Sequence, residues 1–183
     1  PKYAQFALMG IAGACFMGIF LALESYRLER LAIWRNPEKY EKGYQTLQGL
    51  YAIGSGGVFG VGIGNSVQKL GFVPEAQNDM IFSIICEELG LAGAGIIVFL
   101  FLLLIWRFFL IASGSRDLFG ALIATGAMAH MMIQVILNIA VVTNTIPNTG
   151  ITLPFISYGG SSVIFLLAEI GLVLQISKKR VKT

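Results

Sequence analysis

Four long apolar stretches constrain this chain more than any other feature of its sequence. A membrane-spanning α-helix needs about 20 predominantly apolar residues, and four stretches meet that requirement: Tyr3–Leu23, Met80–Trp106, Leu118–Val142 and Tyr158–Ile176. Within a bilayer every backbone polar group must be paired inside the protein, and a helix pairs its own. The sequence therefore predicts an all-α polytopic membrane protein with about four transmembrane helices.

The composition excludes the main alternative classes of protein. Of the 183 residues, 56% are hydrophobic and 13% are charged, whereas charged residues make up about a quarter of a soluble domain. So few charges cannot cover a water-soluble surface, and a disordered chain would be poor in apolar residues instead. The formal net charge of +3 fits basic cytoplasmic ends and implies no nucleic-acid partner. Because the chain begins at Pro1, we expect it to be part of a longer protein.

A polar segment, residues 24–79, separates the first two spans and is predicted to form a large loop outside the membrane. Four of its side chains have the spacing of one helix face: Tyr40, Tyr44, Leu47 and Tyr51. Tyrosines on such a face suit the headgroup level of a bilayer. We therefore expect an interfacial helix, which either only packs or also binds a ligand through its opposite face, where Gln45 and Gln48 lie.

Two segments rich in glycine and serine lie outside the apolar core of the spans. The first, residues 54–66, is called the glycine segment below, and its backbone can turn sharply and present amides to an anion. It is either such a site or a tight loop at the membrane surface. The second is Ser157–Ser162, which is predicted to begin the fourth helix. The unpaired amides of a helix N-terminus can also hold an anion.

Several polar side chains fall inside the predicted spans, where a charge costs about 2.5–3.5 kcal/mol on insertion scales. The acids Glu87, Glu88 and Glu169 either pair structurally or have a function. On the third span, a polar stripe with i, i+4 and i+8 spacing consists of His130, Gln134 and Asn138. We expect this stripe to face the bundle interior, where it makes interhelical hydrogen bonds or lines a polar cavity.

The distribution of Lys and Arg indicates the orientation of the chain. With both ends inside, seven of these residues are cytoplasmic and six are outside, which is the direction of the positive-inside rule. The basic cluster Lys178–Lys182 and the uncharged loop 143–157 favour the same orientation. We therefore expect a cytoplasmic C-terminus, with the loops 24–79 and 143–157 on the outer face of the membrane.

Seven short motifs occur in order along the chain: Gly43-Tyr-Gln, Ala52-Ile-Gly-Ser-Gly-Gly, Gly62-Ile-Gly-Asn-Ser-Val-Gln-Lys-Leu-Gly, Pro74-Glu-Ala, Asp79-Met-Ile-Phe, Glu87-Glu-Leu-Gly and Pro154-Phe-Ile-Ser-Tyr-Gly-Gly-Ser-Ser. Through them, nearly all of the chain resembles the C-terminal part of the SEDS family (shape, elongation, division and sporulation proteins). The string Gly-Asn-Ser-Val-Gln-Lys is more similar to the division and sporulation branch (FtsW-like, SpoVE-like) than to the RodA-like elongation branch. Family members have about ten spans, so residues 1–183 are expected to be the C-terminal part of one SEDS membrane domain.

The resemblance implies a peptidoglycan glycosyltransferase of the bacterial cytoplasmic membrane. Such enzymes polymerise lipid II on the outer face in one inverting displacement that releases undecaprenyl pyrophosphate. They work with a class B penicillin-binding protein (a transpeptidase) and other divisome or elongation-complex membrane proteins. The family's catalytic aspartate, in a Pro-Glu-x-His-Thr-Asp motif, falls on Asp79, although Gln77-Asn78 stands here in place of His-Thr. One carboxylate base beside the attacking hydroxyl is what an inverting displacement requires.

The residues expected to bind substrate around Asp79 supply charge, amides or hydroxyl groups to the pyrophosphate and the sugars. They are Lys69, Gln68, Gln45, Glu75, Ser157, Ser161 and Ser162, together with amides of the glycine segment. No cluster of ligands in the sequence demands a metal, so no cofactor is predicted. A magnesium or manganese ion that joins Asp79 or Glu75 to phosphate is left open.

Two other functions are compatible with the sequence. A lipid-linked precursor transporter (a flippase) is the alternative, because intramembrane polar groups and broken helices also suit transport. A scaffold whose spans only dock partner helices is the other. An outward-facing carboxylate with basic and glycine-rich neighbours favours chemistry on one side of the membrane, whereas a transporter places its main charges near the midplane.

Overall fold

The computed structural model describes residues 3–22, 25–74 and 76–178. All regular structure in these ranges is helical, which confirms the predicted all-α class. By its internal contacts the chain divides into two compact units, Pro1–Tyr44 and Gln45–Thr183. The two units are described one at a time.

The first unit contains two helices, α1 (Tyr3–Ala22) and α2 (Ser25–Arg35), followed by two short 3₁₀ turns. Helix α1 has the bounds of the predicted first span apart from Leu23, which lies outside the described residues. Its crossing of the membrane stays a prediction. Near the end of the unit, Lys42 Nζ lies 2.9 Å from Glu29 Oε1, and an exposed pair of this kind contributes at most about 1 kcal/mol.

Helix α3 (Tyr44–Gly56) is the helix that the tyrosine spacing predicted, but it begins later than the pattern suggested. Tyr40 has extended backbone between the two 3₁₀ turns and is not part of the helix. The buried positions of α3 are all small: Gly49, Ala52 and Gly56. A Cβ atom at Gly56 would lie 1.9 Å from Cys86 O, so α3 packs directly on the backbone of the next helix. The location of α3 at the membrane surface stays a prediction.

Helix α4 runs from Ile81 to Ser113 and is longer than the predicted second span, which ended at Trp106. The prediction stopped before the charge of Arg107, but an arginine near a helix end can extend its side chain to water without ending the helix. The helix is interrupted at Gly90, where φ is 67° and ψ is −171°. Glycine adopts a positive φ without the steric cost that a Cβ atom would bring.

The glycine segment fills this interruption. Four backbone hydrogen bonds of 2.9–3.0 Å connect the two, from Val61 N to Glu87 O, Gly62 N to Glu88 O, Leu91 N to Gly57 O and Ala92 N to Val58 O. Backbone groups that a broken membrane helix releases must be paired by other protein groups, and the glycine segment pairs them here. The amides of Val61 and Gly62 therefore pair with α4, and an anion-binding role for other amides of the glycine segment stays a prediction.

Helices α5 and α6 complete the second unit. Helix α5 has the predicted bounds, Leu118–Val142, and Asp117 caps it by accepting a hydrogen bond from Gly120 N at 2.7 Å, an interaction worth about 1 kcal/mol. Helix α6 runs from Gly160 to Lys178, so it begins slightly later than predicted. Among the described residues, α4, α5 and α6 are long and apolar enough to cross a membrane, which confirms the polytopic architecture.

An apolar cluster joins these helices at one end of the bundle. Met80 precedes α4, Val142 ends α5, and Leu153 lies in the loop between α5 and α6; each is at most 1% exposed. A second cluster around Phe108 and Met131 packs the other ends of the three helices together. The first cluster brings the start of α4 against the loop 143–159, and this is where Asp79 lies.

Candidate active site

Asp79 lies in the turn at residues 76–80 that leads into α4 and is partly buried. The N-cap of α4 is Met80, and no side-chain hydrogen bond caps the helix at that residue. Asp79 stands one residue before the cap.

Gln45 connects α3 to the Asp79 turn. Its Nε2 atom lies 3.5 Å from Asp79 Oδ1 and 3.5 Å from Pro74 O. Both distances are long for a hydrogen bond, so the amide lies beside the carboxylate and holds it loosely. Gln45 thus lies on the side of α3 that carries the buried Gly49 and Ala52, and its predicted role in substrate binding stays a prediction.

Asn138 connects α5 to the same turn. Its side chain is fully buried, and its Nδ2 atom donates to Asp79 O at 2.8 Å and to Ile151 O at 2.7 Å. The sequence placed Asn138 in the polar stripe of the third span but did not assign it to the site. The i, i+4, i+8 spacing was the available signal, and the structure supports its interpretation as a source of hydrogen bonds.

Ser157 lies near the Asp79 turn but uses its hydroxyl within its own loop. Its Oγ accepts a hydrogen bond from Leu153 N at 2.7 Å, and its own amide donates to Leu153 O at 3.0 Å. The next residue, Tyr158, donates its amide to Gln77 O at 2.8 Å, which ties this loop to the 76–80 turn. The side chain of Ser157 therefore shapes the loop, and its contact with a substrate stays a prediction.

Ser161 and Ser162 lie in the first turn of α6, next to that loop. Ser161 is exposed, whereas Ser162 Oγ donates to Gly159 O at 2.9 Å. Both stand close to the helix N-terminus that was predicted to hold an anion, and their binding role stays a prediction. Glu75, which was predicted to bind substrate or a bridging cation, lies outside the described residues.

Lys69 forms an ion pair with Glu88 on α4. The Nζ–Oε1 distance is 2.5 Å, and the two side chains are 32% and 15% exposed. The adjacent Gln68 has a buried Oε1 atom without a hydrogen-bond partner among the described residues. Lys69 thus joins its loop to helix α4, and the binding of a pyrophosphate by Lys69 and Gln68 stays a prediction.

Glu87 anchors the same loop from the helix side. It is 2% exposed, accepts a hydrogen bond from Ser66 Oγ, and also accepts one from Val67 N at 3.1 Å. Ser66 in turn accepts from Lys69 N at 3.1 Å. The sequence is compatible with a structural or a functional role for Glu87 and Glu88, and in the structure both hold residues 66–69 by hydrogen bonds. Ser66 was missed, because a serine in a glycine-rich stretch has no distinguishing sequence pattern.

His130, about two helical turns from Asn138 on α5, belongs to a separate polar pair. His130 Nδ1 lies 3.0 Å from Glu169 Oε1 and joins α5 to α6. This contact supports the expectation that His130, at one end of the polar stripe, makes an interhelical hydrogen bond. In the described ranges, no three His, Cys, Asp or Glu side chains are grouped as they would be to hold a metal ion.

A family model described as "Cell cycle protein", which covers FtsW, RodA and SpoVE, matches residues 2–182. The chain belongs to this family, the SEDS family. The resemblance seen in the sequence motifs is therefore confirmed. The match includes the Asp79 turn, the glycine segment and all the helices of the second unit.

Two curated relatives show how much of a SEDS protein this chain represents. Stage V sporulation protein E of Bacillus subtilis is 45% identical over 180 residues, which are 97% of this chain and 49% of the relative. The probable peptidoglycan glycosyltransferase FtsW of Coxiella burnetii is 45% identical over 175 residues, which are 93% of this chain and 46% of the relative. The chain spans about half the length of the curated relatives it matches.

Two solved structures share this SEDS fold. A chain of a peptidoglycan synthase complex, studied for its coordination of polymerization and crosslinking, matches all of this chain and 50% of its own length, with a TM-score of 0.77 and 29% identity. An aspartate-to-alanine mutant of the rod shape determining protein RodA of Thermus thermophilus matches 74% of this chain and 41% of its own length, with a TM-score of 0.56 and 35% identity.

Proposed function

We propose that the protein containing this chain is a peptidoglycan glycosyltransferase that polymerises lipid II on the outer face of the bacterial cytoplasmic membrane during division or sporulation. The observation that carries this proposal is the carboxylate of Asp79, which stands just before a membrane-spanning helix beside the Gln45 amide. The relatives named peptidoglycan glycosyltransferase FtsW support the same activity.

In the proposed reaction, Asp79 is the general base. It takes the proton of the acceptor sugar hydroxyl while that oxygen forms a bond to the anomeric carbon of the donor. The bond from this carbon to undecaprenyl pyrophosphate breaks on the opposite face, so the configuration inverts. Lys69 is one-third exposed in the segment that precedes the Asp79 turn, and its ammonium group supplies positive charge to the departing pyrophosphate.

The surface around Lys69 also suits a lipid-linked substrate. Phe59, Ile63 and Leu70 are each more than three-quarters exposed in the same loop. An amphiphilic molecule would therefore meet apolar side chains and a cation within one segment. If a magnesium or manganese ion takes part, the Asp79 carboxylate with Glu75 would hold it against the phosphates, where it would stabilise negative charge.

The proposal includes a partner and an orientation. We infer a class B penicillin-binding protein as partner, because the matched synthase complex couples polymerization to crosslinking. Other divisome or elongation-complex membrane proteins would join this pair. The C-terminus is cytoplasmic, so that the Asp79 turn and the loop between α5 and α6 face outwards; the concentration of basic residues at the end of α6 supports this.

The decisive test compares two aspartates at helix starts, in the full-length protein with its transpeptidase partner. Asparagine cannot accept the proton, so Asp79→Asn is expected to lower glycan polymerisation from lipid II at least about 100-fold, the typical effect of a positioned base. Asp117→Asn is the matched control, because Asp117 is a true N-cap and asparagine caps as well as aspartate. Polymerisation by Asp79→Asn within a few-fold of wild type would reject Asp79 as the base.

The interruption of α4 at Gly90 is the observation that favours the second candidate, a flippase, because transporters often use discontinuous helices. In transporters, however, the ends of the broken helix point at the substrate, whereas the glycine segment pairs the backbone here. If the protein is a flippase, the Asp79→Asn variant moves fluorescent lipid II across the membrane of vesicles at the wild-type rate. We expect no transport by the wild-type protein or by this variant.

A further inference from the structure

Asn138 is a fully buried polar side chain that contacts the Asp79 turn. It is 0% exposed, and its amide group donates one hydrogen bond to Asp79 O and one to Ile151 O, at 2.8 and 2.7 Å. One planar group with two donors fixes two carbonyl oxygens relative to each other. Asn138 therefore sets the position of the Asp79 backbone against the loop between α5 and α6.

The oxygen atom of the same side chain, Asn138 Oδ1, is buried and has no hydrogen-bond partner among the described residues. The hydrogen bonds of this side chain in the described ranges are thus the two that it donates. Removing them would leave two part-buried carbonyls without these donors, which is the costly direction for a hydrogen-bond deletion.

Gln134 offers a natural comparison one turn earlier on α5. It too has a buried carbonyl oxygen without a partner among the described residues, and its Nε2 atom makes only a long 3.4 Å contact with Thr152 Oγ1. Gln134 therefore shares the helix face and the chemistry of Asn138. The recorded contact of its amide is with the loop alone and does not include the Asp79 turn.

Two further features join the Asp79 turn to the loop between α5 and α6. Tyr158 N donates to Gln77 O at 2.8 Å, and Met80 and Leu153, each 1% exposed, belong to one apolar cluster. The Asp79 turn is thus held on one side by backbone pairing and on the other by the Asn138 amide. Loss of the amide would let the turn move while the fold of α4, α5 and α6 stays.

We propose that Asn138 is a positioning residue for the reaction: by holding the carbonyl of Asp79, it keeps the carboxylate aligned with the acceptor hydroxyl. This inference rests on the proposed function, with Asp79 as the base. A displacement of about 1 Å at a reacting group can cost on the order of 100-fold in rate. Binding of lipid II does not depend on this alignment, so kcat falls and KM stays.

The test uses three variants in the full-length protein with its transpeptidase partner. Asn138→Leu removes both donors, Asn138→Ser retains one hydroxyl donor, and Gln134→Leu is the matched control on the same helix face. We expect Asn138→Leu to lower kcat about 10- to 100-fold with KM for lipid II within about twofold. Asn138→Ser should fall between it and wild type, and Gln134→Leu should stay within about threefold of wild type.

Hydrogen exchange supplies a readout that does not require activity. Amides of residues 76–80 should exchange at least about tenfold faster in Asn138→Leu and at the wild-type rate in Gln134→Leu. Any one of four results would overturn the proposal. These are a loss of kcat without faster exchange, a rise in KM in place of a loss of kcat, equal losses of kcat in both leucine variants, and failure of both Asn138 variants to fold. If Asp79→Asn remains active, the proposed function fails separately, and the exchange data still decide whether Asn138 holds the turn.

Discussion

At the scale of single residues, Lys69 shows how one cation can serve both the fold and a ligand. Its ammonium group lies 2.5 Å from Glu88 Oε1 and is still about one-third exposed. A lysine ammonium has three donors on a compact charge, so it can bind Glu88 and donate to a phosphate at the same time. Removing Lys69 would affect both roles, and a single substitution cannot separate them.

Exchanging the two charges separates these roles. Lys69→Ala should raise KM for lipid II about 10- to 100-fold, because a charge-assisted hydrogen bond contributes about 1.5–3 kcal/mol. The exchanged pair Lys69→Glu with Glu88→Lys should restore the melting temperature that Lys69→Glu alone lowers. KM should remain high, since the cation then lies on α4 instead of on the loop. Recovery of wild-type KM by the exchanged pair would mean that Lys69 only fastens the loop.

At the scale of elements, the interrupted helix α4 and the glycine segment form one structure. The segment passes so close to the break that a Cβ atom on Gly90 would lie 2.3 Å from Gly60 N and 2.4 Å from Val58 O. Beyond the break, Leu91–Ser113 is still long enough, at about 1.5 Å per residue, to cross the roughly 30 Å hydrocarbon core. The part of α4 before the break is therefore not needed to span the membrane, and its Glu87 and Glu88 hold residues 66–69.

Replacing Gly90 tests this junction. Gly90→Ala combines a positive φ with contacts to backbone atoms, and such strain costs of order 1–3 kcal/mol, so the melting temperature in detergent should fall by several degrees. Gly95→Ala is the control on the same helix, because a Cβ atom there has nothing within 4 Å. Alanine suits a helix better than glycine, so the control should melt at or slightly above the wild-type temperature. Equal melting of the two variants would contradict the tight junction.

The sequence could predict α5 to the residue and could not predict the junction in α4. Asp117 marks the start of α5 by its type and position, and the apolar run ends where the helix does. By contrast, Gly90 stands in the motif Glu87-Glu-Leu-Gly, but nothing in that motif indicates the close approach of Gly60 and Val58 that accompanies the break. Asp79 was recognised by family resemblance, while Asn138 depended on a contact between residues far apart in the chain, which no local pattern encodes.

At the scale of the whole molecule, the three membrane-spanning helices fix which loops share a side. Loop 114–117 joins α4 to α5, and the loop between α5 and α6 lies at the opposite end of α5. The first apolar cluster places the Asp79 turn at that second end. The proposed orientation therefore makes a single prediction for the Asp79 turn and the loop between α5 and α6, because both lie at the same end of the helices.

Cysteine labelling in intact cells checks the orientation. The exposed positions Thr149 and Arg116 lie in the two loops, and exposed Cys15 is replaced in the background. We expect Thr149→Cys to react with an impermeant thiol reagent and Arg116→Cys to react only after the membrane is permeabilised. The reverse pattern would put the Asp79 turn in the cytoplasm and would be incompatible with polymerisation outside.

The order of the chain adds a consequence for biosynthesis. The glycine segment precedes α4, so the ribosome has released residues 57–62 before Leu91 and Ala92 emerge. The four backbone bonds that close the break lie within residues 57–92, and contacts between neighbouring parts of a chain form early because little loop entropy opposes them. The four hydrogen bonds across the interruption can thus form while α4 is being inserted, before α5 and α6 are synthesised. The amides and carbonyls at the break are then paired without any later part of the chain.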